Sequence, residues 1–279
     1  MSAVTRVIFF VETPFSRRDY DRYGIEILQK NGFDVEVWDF IPFLYPEDIE
    51  CTVSDPINFS GYRQFRSKKE ALDAISKLDR SCFVVFLIAC RYGSFALYRA
   101  LSTVRVRYGK VVVNVLPVLK TPKSVLAQIT KSSLAQLAQA LFSRIPFHYM
   151  GIHPATVLLA GGEQSVRSKR FYLANRETKT IWAHTLDYDL YLNERAKSVF
   201  VDTKVGVFLD ENLPFHYEYH RYGYDPPCGP DEYYQSLRRF FDCLEREYGV
   251  RIVIAAHPRS QYEKRPDYFG TLFCYIRMF

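Results

Sequence analysis

Two short clusters in the C-terminal third of the chain set reactive side chains at the ends of apolar runs. One is His257-Pro258-Arg259-Ser260, which follows VRIVIAA; the other is Asp210-Glu211, which follows KVGVFL. A histidine held on a stiff strand and fixed by a proline can give a hydrogen bond or a proton to a phosphate oxygen. An adjacent arginine can bind the same group through two parallel N–H bonds. A carboxylate within hydrogen-bond reach can take the proton of an attacking hydroxyl. These residue types suit the transfer of a group whose leaving partner is a phosphate. The catalytic candidates are Asp210, Glu211 and His257, and the donor-binding candidates are His257, Pro258, Arg259 and Ser260. The structural readings stand beside these: a plain strand-to-loop exit for His257 to Ser260, and a cap on the following loop for Asp210 and Glu211.

Ligands of open parallel sheets bind outside the carboxyl ends of the strands. In the N-terminal part that rule singles out Glu12 and Thr13, Arg91, and Gly161 and Gly162, with His184 and Asp187 further on as a cluster able to recognise sugar hydroxyls. A turn explains the two glycines equally well. His216 and His220, four apart, have the spacing of helical metal ligands, but their Tyr- and Gly-rich surroundings read as loop and the glutamate of a zinc helix is missing. Asp187 and Asp189 form a DxD pair that reads as structural. The expectation is no metal and no cofactor.

The elements that must position these residues alternate regularly. RVIFFVE, FDVEVWDF, CFVVFLIAC, KVVVNVLP and ATVLLA read as strands, with helices between them over residues 17–32, 67–79 and 93–109. Buried β-branched strands in strand–helix order mean an α/β fold with a mainly parallel sheet. A second unit begins at KVGVFL and continues through the helix GPDEYYQSLRRFFDCLEREYG to VRIVIAA. Pro230 suits that helix's first turn, and Gly249 lies past its end. The predicted organisation is two Rossmann-like units: residues 1–178 on the acceptor side, an interdomain crossing over 179–203, and a partial donor-side unit over 204–279. Facing each other, such units bring their strand ends to one cleft.

Composition narrows the classes. The chain has 279 residues, 48% hydrophobic and 24% charged, which is globular rather than disordered. Aromatic residues make up 16%, with 21 Tyr and 22 Phe, which suits either ring platforms for sugars or an aromatic core. The net charge of +6 is spread over SRRDYDR, YRQFRSKKE and VRSKRF rather than gathered in one stripe, which argues against nucleic acid and for a small anionic ligand. The six cysteines show no CxxC pairing, and no apolar run reaches the ~18 residues of a membrane span, so cytoplasmic placement is expected. Residues 121–147 read as a long helix with Leu126, Ile129, Leu134, Leu137, Leu141 and Phe142 on one side and lysines around it. A crossover helix is the favoured reading, and a peripheral contact with the inner face of the membrane is the other.

With an acidic pair after its first strand, a helix opening in EYY, and HPR after its next strand, the second unit resembles bacterial glycosyltransferases of the GT-B fold. It is similar in particular to the sialyltransferase and polysialyltransferase group. VETPFSRRDYDRYGIEIL and HTLDYDLYL extend the likeness toward surface-polysaccharide biosynthesis proteins. The resemblance implies a nucleotide-sugar donor and a glycan or lipid-linked acceptor, with His257 and Pro258 at the donor phosphate and Asp210 or Glu211 as base. In this sequence Asn212 stands where that family's acidic motif continues into glycine, and the serine-rich motif that completes its donor pocket is missing. From this follows the expectation that the chain is a truncated or frame-shifted form of a longer transferase and binds donor weakly. Two alternatives accompany it: a non-catalytic sugar- or nucleotide-binding remnant, and a phosphate-handling hydrolase built on His257 and Asp210.

Overall fold

The computed structural model describes residues 3–46, 57–113, 142, 145–166, 173–185, 188–197, 204–216, 219, 225–257, 260, 262, 265, 267–270 and 274–277. It divides into two compact units, one running to Ala196 and the other from Lys197 to Phe279.

Among the described residues, the first unit is built on seven parallel strands. These are β1 (Arg6–Val11), β2 (Asp34–Asp39), β3 (Tyr62–Gln64), β4 (Cys82–Phe86), β5 (Arg107–Val112), β6 (Val157–Ala160) and β7 (Lys179–Trp182), in the order β3-β2-β1-β4-β5-β6-β7. Alternate residues of β1 fill two separate cores. Ile8 and Phe10 join Trp38, Phe65 and Phe86 and the helices α3 (Ile41–Leu44), α4 (Lys68–Ser76) and α5 (Phe95–Thr103), while Val7, Phe9 and Val11 join Ile25, Val35 and Val37 on the other face. A sheet buried on both faces explains the unbroken apolar run of this strand. Much of the aromatic content goes into this packing: Phe10 stacks on Trp38, Phe40 on Phe65 and Phe86 on Tyr98.

The structure departs from the sequence pattern in four places. The helix expected over 17–32 is two helices, α1 (Arg17–Arg22) and α2 (Ile25–Lys30), because Gly24 takes a left-handed conformation between them. The expected helix over 93–109 stops at Thr103, Arg105 turns left-handed at φ 55°, and strand β5 is already running at Arg107. The stretch 179–203, read as a crossing, contains β7, which pairs with β6, and α6 (Tyr188–Lys197). Finally, the terminal segment, which shows no periodicity, supplies a strand. The helix expected over 121–147 has its body outside the described residues.

That terminal strand belongs to the second unit, whose parallel sheet runs β10 (Cys274–Arg277), β9 (Arg251–Ala256), β8 (Val205–Leu209). The long helix α7 (Pro230–Tyr248) packs Tyr234 and Phe241 against Ile252, Ile254 and Ala256, with Tyr262 and Phe269 in the same core. Pro230 opens this helix and Gly249 closes it in a left-handed conformation. On β8, Val205, Val207 and Leu209 stay exposed. The α/β class, in two Rossmann-like units, is thus as the pattern of runs indicated.

Candidate functional site

In the second unit, β8 and β9 run side by side and end together, with Leu209 opposite Ala255. Asp210 is the next residue and is 2% exposed. A buried carboxylate must be met by donors, and here it is. Oδ1 accepts from the backbone N–H of Asn212 at 3.0 Å, and Oδ2 accepts from the Tyr262 hydroxyl at 2.5 Å and the His257 backbone N–H at 3.5 Å. The Tyr234 and Tyr262 hydroxyls lie 3.0 Å apart, which extends the chain of bonds into α7. Burial, then the bond to Asp210, holds the Tyr262 phenol protonated far above its ordinary range. Asp210 therefore ties the two strand-end turns together.

His257 lies half-buried at the end of β9, and its carbonyl accepts from both the N–H and the hydroxyl of Ser260, at 2.9 and 2.8 Å. Asn212 takes a left-handed turn at φ 50° before a short helical turn, Leu213–Phe215, with Pro214 buried. That turn delivers His216, whose ring centroid is 5.9 Å from that of His257 in an edge-to-face arrangement. Glu211 is exposed beside the buried Asp210. Burial, with Asp210 and then Cys228 and Glu211 adding to it, pushes the Tyr233 hydroxyl up to about 12, so the first turn of α7 lies in the field of these groups. Of the donor set, the sequence-predicted His257 and Ser260 come together with Asp210. Pro258 and Arg259 lie outside the described residues, as does His220.

The strand ends of the first unit are braced in the same manner. Glu12, directly after β1, accepts from the Ala89 N–H at 2.8 Å and from the Tyr45 hydroxyl at 2.9 Å. Asp39, 1% exposed at the end of β2, accepts from the Ile41 N–H, the Tyr62 hydroxyl and the Gln64 amide. Lys110, on β5 and 7% exposed, donates to the Ile88 carbonyl at 2.6 Å and the Tyr98 hydroxyl at 2.7 Å. Burial lowers this lysine to about 8 against the opposing pull of Glu12 and Cys90. Ser94 accepts from the Arg91 N–H and donates to the Ala89 carbonyl. The loop that carries Arg91 is thus pinned by side chains from β1's end, β5 and α5. Thr13 follows Glu12, half-buried.

Gly161 and Gly162 have separate causes. A Cβ on Gly161 would stand 2.5 Å from the Val113 carbonyl oxygen, so this glycine lets β6 end close against the chain beyond β5; Gly162 has φ +136°. His184 is exposed and stacks on Tyr188 with centroids 4.3 Å apart, and Asp187 lies outside the described residues. Among the described residues no cluster of three His, Cys, Asp or Glu side chains is placed to hold a metal ion, and no helix is long and apolar enough to cross a membrane.

Sequence reasoning missed Asp39, Lys110, Tyr234 and Tyr262, and it weighed His216 only as a metal ligand and set that reading aside. A polar residue at the end of an apolar run was a usable signal for Asp39 alone.

No protein-family model and no curated protein sequence matches the chain. Solved structures do. One assigned as a UDP-N-acetylglucosamine 2-epimerase from Listeria monocytogenes aligns with a TM-score of 0.50 at 12% identity, over 100% of this chain and 70% of that one. A UDP-N-acetylglucosamine 2-epimerase from Rickettsia bellii aligns with a TM-score of 0.45 at 12% identity, over 98% of this chain and 69% of that one. At such identity the likeness is one of fold. Each unit carries a Rossmann-like parallel sheet of the kind found in GT-B-type folds, and among the described residues the second sheet has three strands against seven in the first.

Proposed function

We propose that the chain acts on a nucleotide sugar, as a metal-independent glycosyltransferase that moves the sugar to a surface-glycan or lipid-linked acceptor in capsule or lipopolysaccharide assembly. The observation that carries this reading is the braced strand-end pair of the second unit. His257 is half-buried on a fixed turn, at the carboxyl end of the central strand of a parallel sheet, and nucleotide phosphates bind at such strand ends. A phosphate leaving group needs a donor already in place as charge develops, and a preorganised imidazole meets that need without reorganisation. Because Asp210 is occupied by Tyr262, Asn212 and His257, its role in this reading is to hold the turn. Glu211, adjacent and exposed, is then the carboxylate that approaches the acceptor hydroxyl. Arg91 and His184 are the acceptor-side candidates, with Glu12 holding the loop that carries Arg91. The fold shared with the Listeria structure, whose assignment is to a nucleotide-sugar enzyme, agrees with the substrate class.

The test is turnover with UDP-, CMP- and GDP-sugars and glycan acceptors, in the intact chain and in His257→Ala. Released nucleotide and a glycosylated product are expected from the first. The folded variant should lose at least about a hundredfold, the usual scale of a positioned acid or donor. Release of phosphate from a simple monoester without sugar transfer would favour the hydrolase, and binding without turnover the remnant. A folded His257→Ala that keeps full activity would remove the histidine from the mechanism.

A further inference from the structure

We infer that His216 is the second half of a phosphate subsite, in which the His216 and His257 imidazoles jointly grip one phosphate-bearing ligand. The inference rests on the nucleotide-sugar reading and adds a residue and a charge mechanism to it. The two rings come from different turns, 41 positions apart in sequence, and meet at 5.9 Å between centroids, edge to face. Asp210 joins the two turns through its bonds to the Asn212 and His257 N–H groups, and each turn has a brace of its own. Asp210 and Ser260 close the His257 turn, while the left-handed Asn212 and the buried Pro214 set the path to His216. Both rings remain half-buried, at the carboxyl ends of adjacent parallel strands.

A positive contribution is needed there, because the neighbouring helix offers none. The first turn of α7 carries Asp231 and Glu232, which already satisfy the favourable end of its dipole and would repel an approaching anion. Among the described residues, the other titratable groups of these turns and of the first turn of α7 are Asp210, Glu211, Cys228, Tyr219, Tyr233 and Tyr262, none of them a cation; Arg259, two positions past His257, lies outside the described residues. Two imidazoles this close repel when both are charged, and an anion shared between them turns that repulsion into attraction. Phosphate binding should therefore draw protons onto the pair. A divalent metal would use the same rings in their neutral form, but the described residues bring no third ligand.

The experiment is imidazole NMR on the intact chain, whose six histidines are few enough to resolve, with His216→Gln and His257→Gln giving the assignments. UDP, CMP, GDP, inorganic phosphate, uridine and zinc are titrated in turn across the range in which histidine titrates. The nucleotides and phosphate should move both rings together and raise both apparent pKa values, while uridine should not. His216→Gln should weaken nucleotide binding about tenfold, the worth of one charge-assisted bond, and reduce the proton uptake seen by calorimetry in buffers of different ionisation enthalpy. If nucleotide moves His257 but not His216, or His216→Gln leaves affinity and proton uptake unchanged, the inference fails and the nucleotide-sugar reading stands. If no resonance responds to any nucleotide, that reading fails as well. Response of both rings to zinc alone would make the pair a metal site and overturn the phosphate assignment.

Discussion

Replacing Lys110 by methionine should change how the stability of the first unit depends on pH. The lysine sits inside the sheet at 7% exposure, over the rings of Phe86 and Tyr98, with its amine bonded to the Ile88 carbonyl and the Tyr98 hydroxyl. In the unfolded chain it holds its proton with the ordinary value of 10.5, and in the folded chain burial lowers this to about 8. Below the folded value both states are charged and the folded one bears the cost of the buried charge. Between the two values the unfolded state binds more protons, so stability rises with pH. For a shift of this size, the lysine's contribution should improve by about 2 kcal/mol between about pH 7 and about pH 9.5. Methionine fills similar volume without charge and leaves the Tyr98 hydroxyl still donating to Ile88 at 2.5 Å. The variant should thus be no less stable near neutrality and should lack the rise. Both tryptophans, Trp38 and Trp182, belong to the first unit, so urea unfolding followed by their fluorescence reports that unit. Wild type minus variant isolates Lys110 from the other titrating groups. Parallel pH profiles for the two proteins would refute the reasoning, since they would mean that the buried amine carries no cost of charge.

Two further expectations follow from close contacts. Gly161→Ala would force a Cβ to within 2.5 Å of the Val113 carbonyl oxygen and 3.0 Å of its Cα, and backbone cannot yield as a side-chain tip does. The first unit should lose about 1–3 kcal/mol by the same fluorescence measurement, and an unchanged midpoint would leave the glycine as a mere turn residue. Tyr262→Phe takes the shortest donor from the buried Asp210 carboxylate. The second unit should lose about 1–3 kcal/mol, seen as faster hydrogen exchange at the amides of β9 and the His257 turn, and equal protection would show that the tyrosine does not brace them.

The fold was legible where one physical cause wrote the pattern. β1 is apolar on both faces because both are covered, and α7 is bounded by Pro230 and Gly249 because a helix start tolerates the one and its end favours the other. Legibility failed where a pattern had two causes. KVVVNV opens with a lysine, which looks like the wet end of a strand, yet β5 begins three residues earlier at Arg107, and Lys110 is in the interior. The terminal segment shows no alternation, and β10 was therefore invisible until its pairing with β9 was seen. Of the site, His257, Ser260 and Asp210 could be read from their position after apolar runs. Tyr262 and Tyr234 could not, because they reach Asp210 only through tertiary packing, from 52 and 24 positions away. The pairing of His216 with His257 was hidden for the same reason.

The two units share one device, and it explains why carboxylates stand at their strand ends. Glu12 is the first residue after β1 and accepts the backbone N–H of Ala89, in the loop after the neighbouring strand β4. Asp210 is the first residue after β8 and accepts the backbone N–H of His257, in the turn after the neighbouring strand β9. In both, a carboxylate leaving one parallel strand tethers the backbone leaving the next. Burying such a group costs free energy unless every oxygen is met, so the arrangement is costly as mere packing, where an apolar side chain would serve. What it gains is position: the loops that carry Arg91 and His257 are held by bonds to their backbones. A carboxylate used in this way is spent on geometry, and this is the physical reason to look for the proton-transfer group one residue on, at Glu211, and for the second phosphate contact on the adjoining turn, at His216.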